Sequence, residues 1–483
     1  MNRKKIIYRI VLALAVMLAG CSEFTEIEPK GKNILNRVSD LDLLLNFDFS
    51  MNGSISIYDS SVKTTAEGAF RFNDVNLLVN DIYPYATNVI NLISAPSKTL
   101  EAVLVTSDES ADRTMLTPTD IKYEKYYFII TNVANIVISN ADQASGDREK
   151  ARQLKAEAYI LRAYLHYLLV NFYAKGYDPA TAETDPGVPY VKEDNRIGEP
   201  NKKSTVAEVY AHILADIDEA LQLKSLPQTP VNKMRVGNAF AYAVKAKALL
   251  SMHKYPEALQ AAEASLAINS ETLDHREFAP IGTKALARPA LTCPEDLFYA
   301  TYNGPPVLQG ASLEILNDYY EPGNIFNAIA PFHPAGASVT GINGVKLLMT
   351  ATYNINNGGL STVDMYLTKA ECLIRAHQVK EAIDIINFIR ERRIQPDVYA
   401  PLPAAVSESE AMASLKKLSR IECLFTCKNY LNIKRWNTEE AYKETISRTI
   451  NGVTYTLRPE SPLWIFPFPQ NATNYNPNMT QNY

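Results

Sequence analysis

Only five Cys, six His and two Trp occur among 483 residues. Thiols at this density do not make a disulfide scaffold, so the fold must be held by a hydrophobic core. The chain contains no H-E-x-x-H, no G-x-x-x-x-G-K-[ST], no G-x-S-x-G and no G-x-G-x-x-G. Zinc peptidases, P-loop NTPases, common serine hydrolases and dinucleotide enzymes therefore lack their minimum parts. Positive charge is also scarce: 48 Lys and Arg face 53 Asp and Glu, which gives nucleic acid and acidic lipid no electrostatic attraction. Beyond the first twenty residues no apolar run is long enough to span a bilayer.

Those first twenty residues are a different matter. Arg3, Lys4, Lys5 and Arg9 precede an apolar run from Ile10 to Ala19, the order of an export signal, and ten residues are too few for a spanning helix. The run ends on Leu18-Ala19-Gly20-Cys21, which resembles the lipobox of bacterial lipoproteins. That resemblance makes 1–20 a signal peptide, Cys21 the lipidated first residue of the mature protein, and 21–45 a tether and first segment. Ser22, Glu23, Phe24, Thr25 and Glu26 are similar to an acidic signal for export to the cell exterior. Removing the leader removes four cations and leaves 44 basic against 53 acidic residues.

Helical periodicity fills 121–270 and 363–436. Leu154, Ala158, Leu161, Leu165, Leu168 and Phe172 step by four and three and form one apolar stripe ending near Gly176. Thr205-x-x-Glu208 is a capping box that opens a helix carrying Val209, Ile213, Ile217 and Leu221 on one side, closed by Pro227. Residues 238–270 read as two alanine-rich helices broken at His253 to Tyr255, with Pro256 in the first turn of the second. This hairpin resembles a tetratricopeptide repeat, and the layout recurs in "YLTKAECLIRAHQVKEAIDIINFIRER", broken near His377. Two such hairpins imply stacked helical pairs, because each must bury an open face on a neighbour. Asp216 and Asp218 fall on what reads as a solvated stretch of helix. Cys423 and Cys427, four apart on an expected helix, could share a face as a metal pair, but no His or Cys partners at ligand spacing lie nearby, which favours buried thiols.

Segments 46–120 and 270–362 differ: they are rich in Gly, Pro, Asn, Ser and Tyr and lack sustained periodicity. Long irregular stretches with aromatic content point to function rather than disorder. Tyrosine is abundant, 28 against 16 Phe, while Trp436 and Trp464 sit in stretches that look structural. Aromatic faces stack on sugar rings and phenol hydroxyls bond at their rims, so Tyr beside Asn on loops suits carbohydrate. On that ground the candidate ligand contacts are Phe72, Asn73, Tyr83, Tyr85, Tyr302, Asn317, Tyr319 and Tyr320, within loops 68–90 and 298–335. Packing within the loop is the competing reading for each, and Tyr159, Tyr164 and Tyr167 are expected to fill helix interfaces. No catalytic residue and no metal ligand is assigned. No cofactor is assigned; the sequence leaves open a structural calcium ion in the Asp- and Asn-bearing loops, which show no twelve-residue calcium-loop pattern.

The C-terminal "FPFPQNATNYNPNMTQNY" resembles the closing signature of the SusD/RagB family, with Pro467 to Gln470, Asn476 to Asn478 and Thr480 to Asn482 at its key positions. Further motifs in the family's order are "LKAEAYILRAYLHYLLVNFY", "STVAEVYAHILADIDEAL", Asn135 in "YYFIITNVANIV", the late helix pair, and Lys434-Arg435-Trp436. Arg420 and Glu422 are retained, but Thr426, Cys427, Asn429 and Asn432 stand where the family places other residues. The resemblance therefore carries no charge-paired network to that segment, and the ending lacks the frequent Pro-Gly. The resemblance implies a mostly α-helical, SusD-like single domain over 46–483. Four tetratricopeptide-like helix pairs would contact a TonB-dependent, SusC-like channel, and irregular loops would hold an oligosaccharide. It further implies a lipid-anchored outer-membrane protein that binds without cleaving bonds and lids its transporter. A peptide-binding importer component, a channel subunit with no ligand of its own and a surface hydrolase are the alternatives.

Overall fold

The computed structural model describes residues 35–46, 74–84, 88–195, 199–278, 286–289, 292–300, 309–330, 332–333, 335–348 and 353–483. Phe72, Asn73, Tyr85, Tyr302 and Cys21 lie outside the described residues.

Short helices α1 (Val38–Leu45), α2 (Asp74–Leu78), α3 (Val89–Ser94) and α4 (Leu100–Thr106) precede the helical body. The body begins with α5 (Ile121–Ile129) and α6 (Asn135–Asn140), joined by a π-helical turn, Ile130–Ala134. The long α7 (Arg148–Tyr173) follows, and the stripe from Leu154 to Phe172 is buried as the spacing requires. Asp147 starts it by accepting the N–H groups of Glu149 and Lys150. Helix α8 (Val206–Gln222) packs along α7 and opens on the Thr205/Glu208 capping box, both bonds of which are present at 3.2 and 2.8 Å.

Next come α9 (Asn238–Ser251) and α10 (Tyr255–Ile268), then α11 (Ile325–Ile329) and α12 (Gly336–Thr340) on the loop side, and α13 (Thr362–Arg375) with α14 (Val379–Glu391). His253 and His377 turn the two hairpins in the left-handed region, at φ 59° and 60°. The hairpins lie far apart in the sequence, yet α10 packs directly on α13, so the second continues the stack of the first. Helices α15 (Glu408–Glu422) and α16 (Lys428–Trp436) complete the body, and α17 (Gln470–Thr473) lies near the C-terminus.

Cys423 and Cys427 do not share a helix face. The helix stops at Glu422, Phe425 adopts φ 65°, and Cys427 caps the next helix, so the two thiols flank a tight turn. Both are buried and free, and burial raises the Cys427 thiol to about 12. Asp216 is likewise not solvated: it is buried between α7 and α8, where Arg162 donates to its two oxygens at 2.6 and 2.7 Å. The same guanidinium reaches Asn135 at 2.8 Å and pairs with Glu193. Asp218, two residues on, is half-exposed and takes Lys245 at 2.7 Å.

The segments that read as irregular hold a small sheet, ordered β1-β3-β5-β4 and antiparallel throughout. Its strands are β1 (Ile82–Tyr83), β3 (Gln309–Ala311), β4 (Phe332–His333) and β5 (Leu347–Leu348). Strands of two or three residues are too short to show an alternating pattern in sequence. Gly336 is required beside this sheet: a Cβ there would come within 2.1 Å of the Val345 carbonyl oxygen. A second pair joins β2 (Asp296–Phe298) to β6 (Leu360–Ser361), and a C-terminal hairpin consists of β7 (Ile446–Ile450) and β8 (Val453–Leu457).

Candidate ligand-binding face

The two loop regions singled out in the sequence meet in the structure. Strand β1 pairs with β3 through Ile82 with Ala311 and Tyr83 with Gly310, so the buried segment 74–84 lies beneath segment 309–320, whose Asn317 and Asp318 reach solvent. The Ser312 N–H donates to the Asp81 carbonyl at 2.9 Å and extends the seam.

Charged side chains from the helical body and the C-terminal hairpin fasten this buried segment. Arg420 on α15 pairs with Asp81 at 2.8 Å and donates to the Val79 carbonyl at 2.7 Å. Asn429 on α16 donates to the other Asp81 oxygen at 2.8 Å. Burial pushes the Asp81 carboxyl up, against the pull of Arg420 and then Asn429. From the C-terminal hairpin, Arg448 donates to Asn80 Oδ1 and to the Leu77 carbonyl, both at 2.6 Å. A charge-paired network thus exists around α15 and α16 despite the replaced positions. Its acids come from other elements: Asp81 for Arg420, Asp364 for Lys428 at 2.7 Å, and Glu371 for Arg435 at 2.7 and 2.6 Å. Burial opposes ionisation of Glu371, but Arg435 and Arg375 outweigh it and lower its pKa to about 2.

The four described candidates separate by exposure. Tyr83 is 1% exposed and Tyr320 8%, so both rings are packing residues, a correction to their selection as direct ligand contacts. Tyr320 stacks on Phe326, with ring centroids 6.5 Å apart, and its hydroxyl has no hydrogen-bond partner among the described residues. Asn317 is exposed and Tyr319 half-buried, on the π-helical turn Ile315–Tyr319. The Arg420 guanidinium lies 5.2 Å from the Tyr319 ring centre, so the side chain that fastens Asp81 also supports this ring.

Beside Tyr319 a narrow cleft of about 20 Å³ is bordered by Glu321, Arg390 and the exposed Lys417. Arg390 and Glu321 are paired at 2.7 and 2.9 Å. Behind it, sharing Asn324, Arg393 and Ile421, is a polar chamber of about 80 Å³ walled by His275, Arg288, Tyr353 and Glu422. Arg393 bonds both Glu422 oxygens at 3.0 and 3.1 Å, and Arg288 bonds Asp296 at 2.6 Å. A space of that size and polarity is large enough for several waters.

Sequence reasoning missed Asp81, Arg420, Arg448 and the Arg288/Arg393 cluster as the parts that position the loops. One signal was legible for the first: Asn80-Asp81 interrupts an otherwise apolar stretch, and a buried acid needs a partner. Trp436 and Trp464 are buried, as expected, and so are Tyr164 and Tyr167, while Tyr159 is half-buried. Among the described residues no group of three or more His, Cys, Asp or Glu could hold a metal ion, and no helix is long and apolar enough to cross a membrane.

A stack of helical hairpins carrying an aromatic, amide-bearing loop face defines a class of helical-repeat binding scaffold. Two family models match this chain: one described as "Starch-binding associating with outer membrane" over residues 76–250, and the SusD family over 362–483. The chain belongs to the SusD/RagB family. A SusD-like protein P2 of Formosa agariphila is 29% identical over 144 residues, a match covering 30% of this chain and 26% of that protein. The fold is similar to a SusD superfamily protein of Bacteroides thetaiotaomicron VPI-5482, with TM-score 0.65, 17% identity, and coverage of 92% of this chain and 100% of that one. It is also similar to a SusD-like carbohydrate binding protein of Bacteroides vulgatus ATCC 8482, with TM-score 0.63, 16% identity, and coverage of 93% and 98%.

Proposed function

We propose that this protein is an outer-membrane lipoprotein that captures oligosaccharides outside the cell and delivers them to a TonB-dependent, SusC-like transporter, over which it closes as a lid. One observation carries the reading: Tyr319 and Asn317 are presented on a face fastened by Arg420 and Asp81, within a chain of the SusD/RagB family. An accessible phenol ring beside an amide is the chemistry that takes the apolar face and the hydroxyl rim of a sugar. The description of one matching family, starch binding in association with the outer membrane, supports the same ligand class and location. Lipid on Cys21 would tether the body beside its channel while leaving it free to swing. The protein acts by binding alone, and the absence of catalytic signatures from the sequence is consistent with that role.

The test is calorimetry of the body from residue 22 onward against neutral and acidic oligosaccharides and against peptides, with reducing ends assayed in parallel. Saccharide binding without release of reducing ends is the expected result. Peptide binding with no saccharide bound would overturn the ligand class, and new reducing ends would overturn the binding-only role.

A further inference from the structure

Lys247 on α9 is buried in the helical body, and its only hydrogen bond among the described residues goes to Asn432 Oδ1 on α16, 3.4 Å away. A buried ammonium ordinarily places three donors and faces a carboxylate. The other buried lysines of this protein follow that pattern or saturate their donors. Lys428 has Asp364 at 2.7 Å, Lys122 has Asp120 at 3.3 Å, and Lys434 donates to the Asn171 and Ala174 carbonyls at 2.6 Å each. Lys247 instead borders a space of about 10 Å³, shared with Asn432, Asp364, Glu371 and Trp436 and too small for more than one water. Burial, partly offset by Asp364, lowers its pKa and favours the neutral amine, whose lone pair is nucleophilic.

We propose that Lys247 and Asn432 become joined by an intramolecular isopeptide bond, formed within the folded protein with Asp364 as the proton shuttle. Lys247 Nζ attacks Asn432 Cγ, so an N–C bond forms. The Asp364 carboxylate takes a proton from Nζ and passes it to Asn432 Nδ2. The Cγ–Nδ2 bond breaks and ammonia leaves. No charge is created and no oxidant is consumed. The carbonyl carbon lies at most one C=O bond, about 1.2 Å, beyond the oxygen that Lys247 already contacts. A shift of about 1 Å therefore brings the reacting atoms to the roughly 3–3.5 Å of a near-attack arrangement.

Asp364 suits the shuttle better than Glu371. Its hydrogen bonds from the Ser361 N–H, the Ser361 hydroxyl and Lys428 all go to Oδ2, leaving Oδ1 without a bond among the described residues. Both Glu371 oxygens are taken by Arg435, with Arg375 and Trp436 Nε1 adding to Oε1. The inference is independent of the nutrient-capture reading, since none of these residues belongs to the loop face.

Peptide mapping of the full chain with trypsin decides it. Expected is one species in which Ala246–Lys254 is joined to Asn429–Lys434 through Lys247 and Asn432. Its mass should lie about 17 Da below the sum of the two peptides, the mass of the ammonia lost. The Asn432→Asp variant should give the same linked mass, because water leaves in place of ammonia. Lys247→Met should give the Asn429–Lys434 peptide free. Trypsin cleaves after an unmodified Lys247, so recovery of Ala248–Lys254 and Asn429–Lys434 as separate wild-type peptides at full mass would overturn the proposal. Should Lys247→Met fail to fold, the wild-type map alone decides it.

Discussion

Arg420 and Asp81, 2.8 Å apart and both buried, tie the strand β1 segment to helix α15 across more than three hundred residues of sequence. The same guanidinium lies 5.2 Å from the centre of the Tyr319 ring, so a single side chain holds both the buried strand β1 segment and the half-buried Tyr319 against the helical body. Loops positioned in this way can present side chains to a ligand without being rigid along their whole length.

Removing one partner of that pair leaves the other as an uncompensated buried charge. Arg420→Met is therefore expected to lose about 3–5 kcal/mol of stability, measured by urea denaturation, and Asp81→Asn a comparable amount. Replacing both residues at once with apolar side chains should cost less than the two single losses added together, which a double-mutant cycle would show.

At the loop face, Tyr319→Ala and Asn317→Ala are expected to weaken saccharide binding tenfold or more together, about 1.4 kcal/mol, with the helical circular dichroism unchanged. Tyr83→Phe should leave affinity unchanged, since that ring is enclosed. A titration in which Tyr83→Phe weakens binding and Tyr319→Ala does not would reverse the assignment.

The Tyr320 hydroxyl is buried without a partner among the described residues, a destabilising arrangement. Tyr320→Phe removes the hydroxyl and keeps the stacking on Phe326, so stability should rise by about 1 kcal/mol, read as a higher denaturation midpoint.

His166 is buried in its neutral form between the Arg162 carbonyl, 2.9 Å from Nδ1, and the Val191 N–H, which donates to Nε2 at 3.0 Å. Burial lowers its pKa to about 3, whereas the unfolded chain protonates its histidines near pH 6.5. Above pH 6.5 neither state takes the proton and stability does not change on this account. As pH falls from 6.5 toward 3 the unfolded state gains a proton that the folded state refuses, so stability is lost. Between pH 7 and pH 5 the His166 contribution is about 2 kcal/mol. A shallower fall in the denaturation midpoint for His166→Gln than for the wild type over that window would confirm it.

Much of the helical body was legible because its cause is local. The stripe on α7, the Thr205/Glu208 box and the breaks at His253 and His377 each rest on residues within one or two turns of each other. Asp216 shows where local reading stops: the same periodicity that placed it on α8 could not show that Arg162 would meet it there. Tyr83 and Tyr320 fail for a related reason, since an aromatic residue in an irregular segment looks the same in sequence whether it faces solvent or a neighbouring strand.

Helix formation, capping and hairpin reversal were determined by the sequence itself, because backbone hydrogen bonds and side-chain spacing act over a few residues. Which tyrosines meet solvent, which acids meet Arg420, Arg162 and Arg435, and that Lys247 meets Asn432 were decided only by tertiary structure. These are encounters between side chains tens to hundreds of positions apart, and burial and charge pairing take effect only once packing has brought them together.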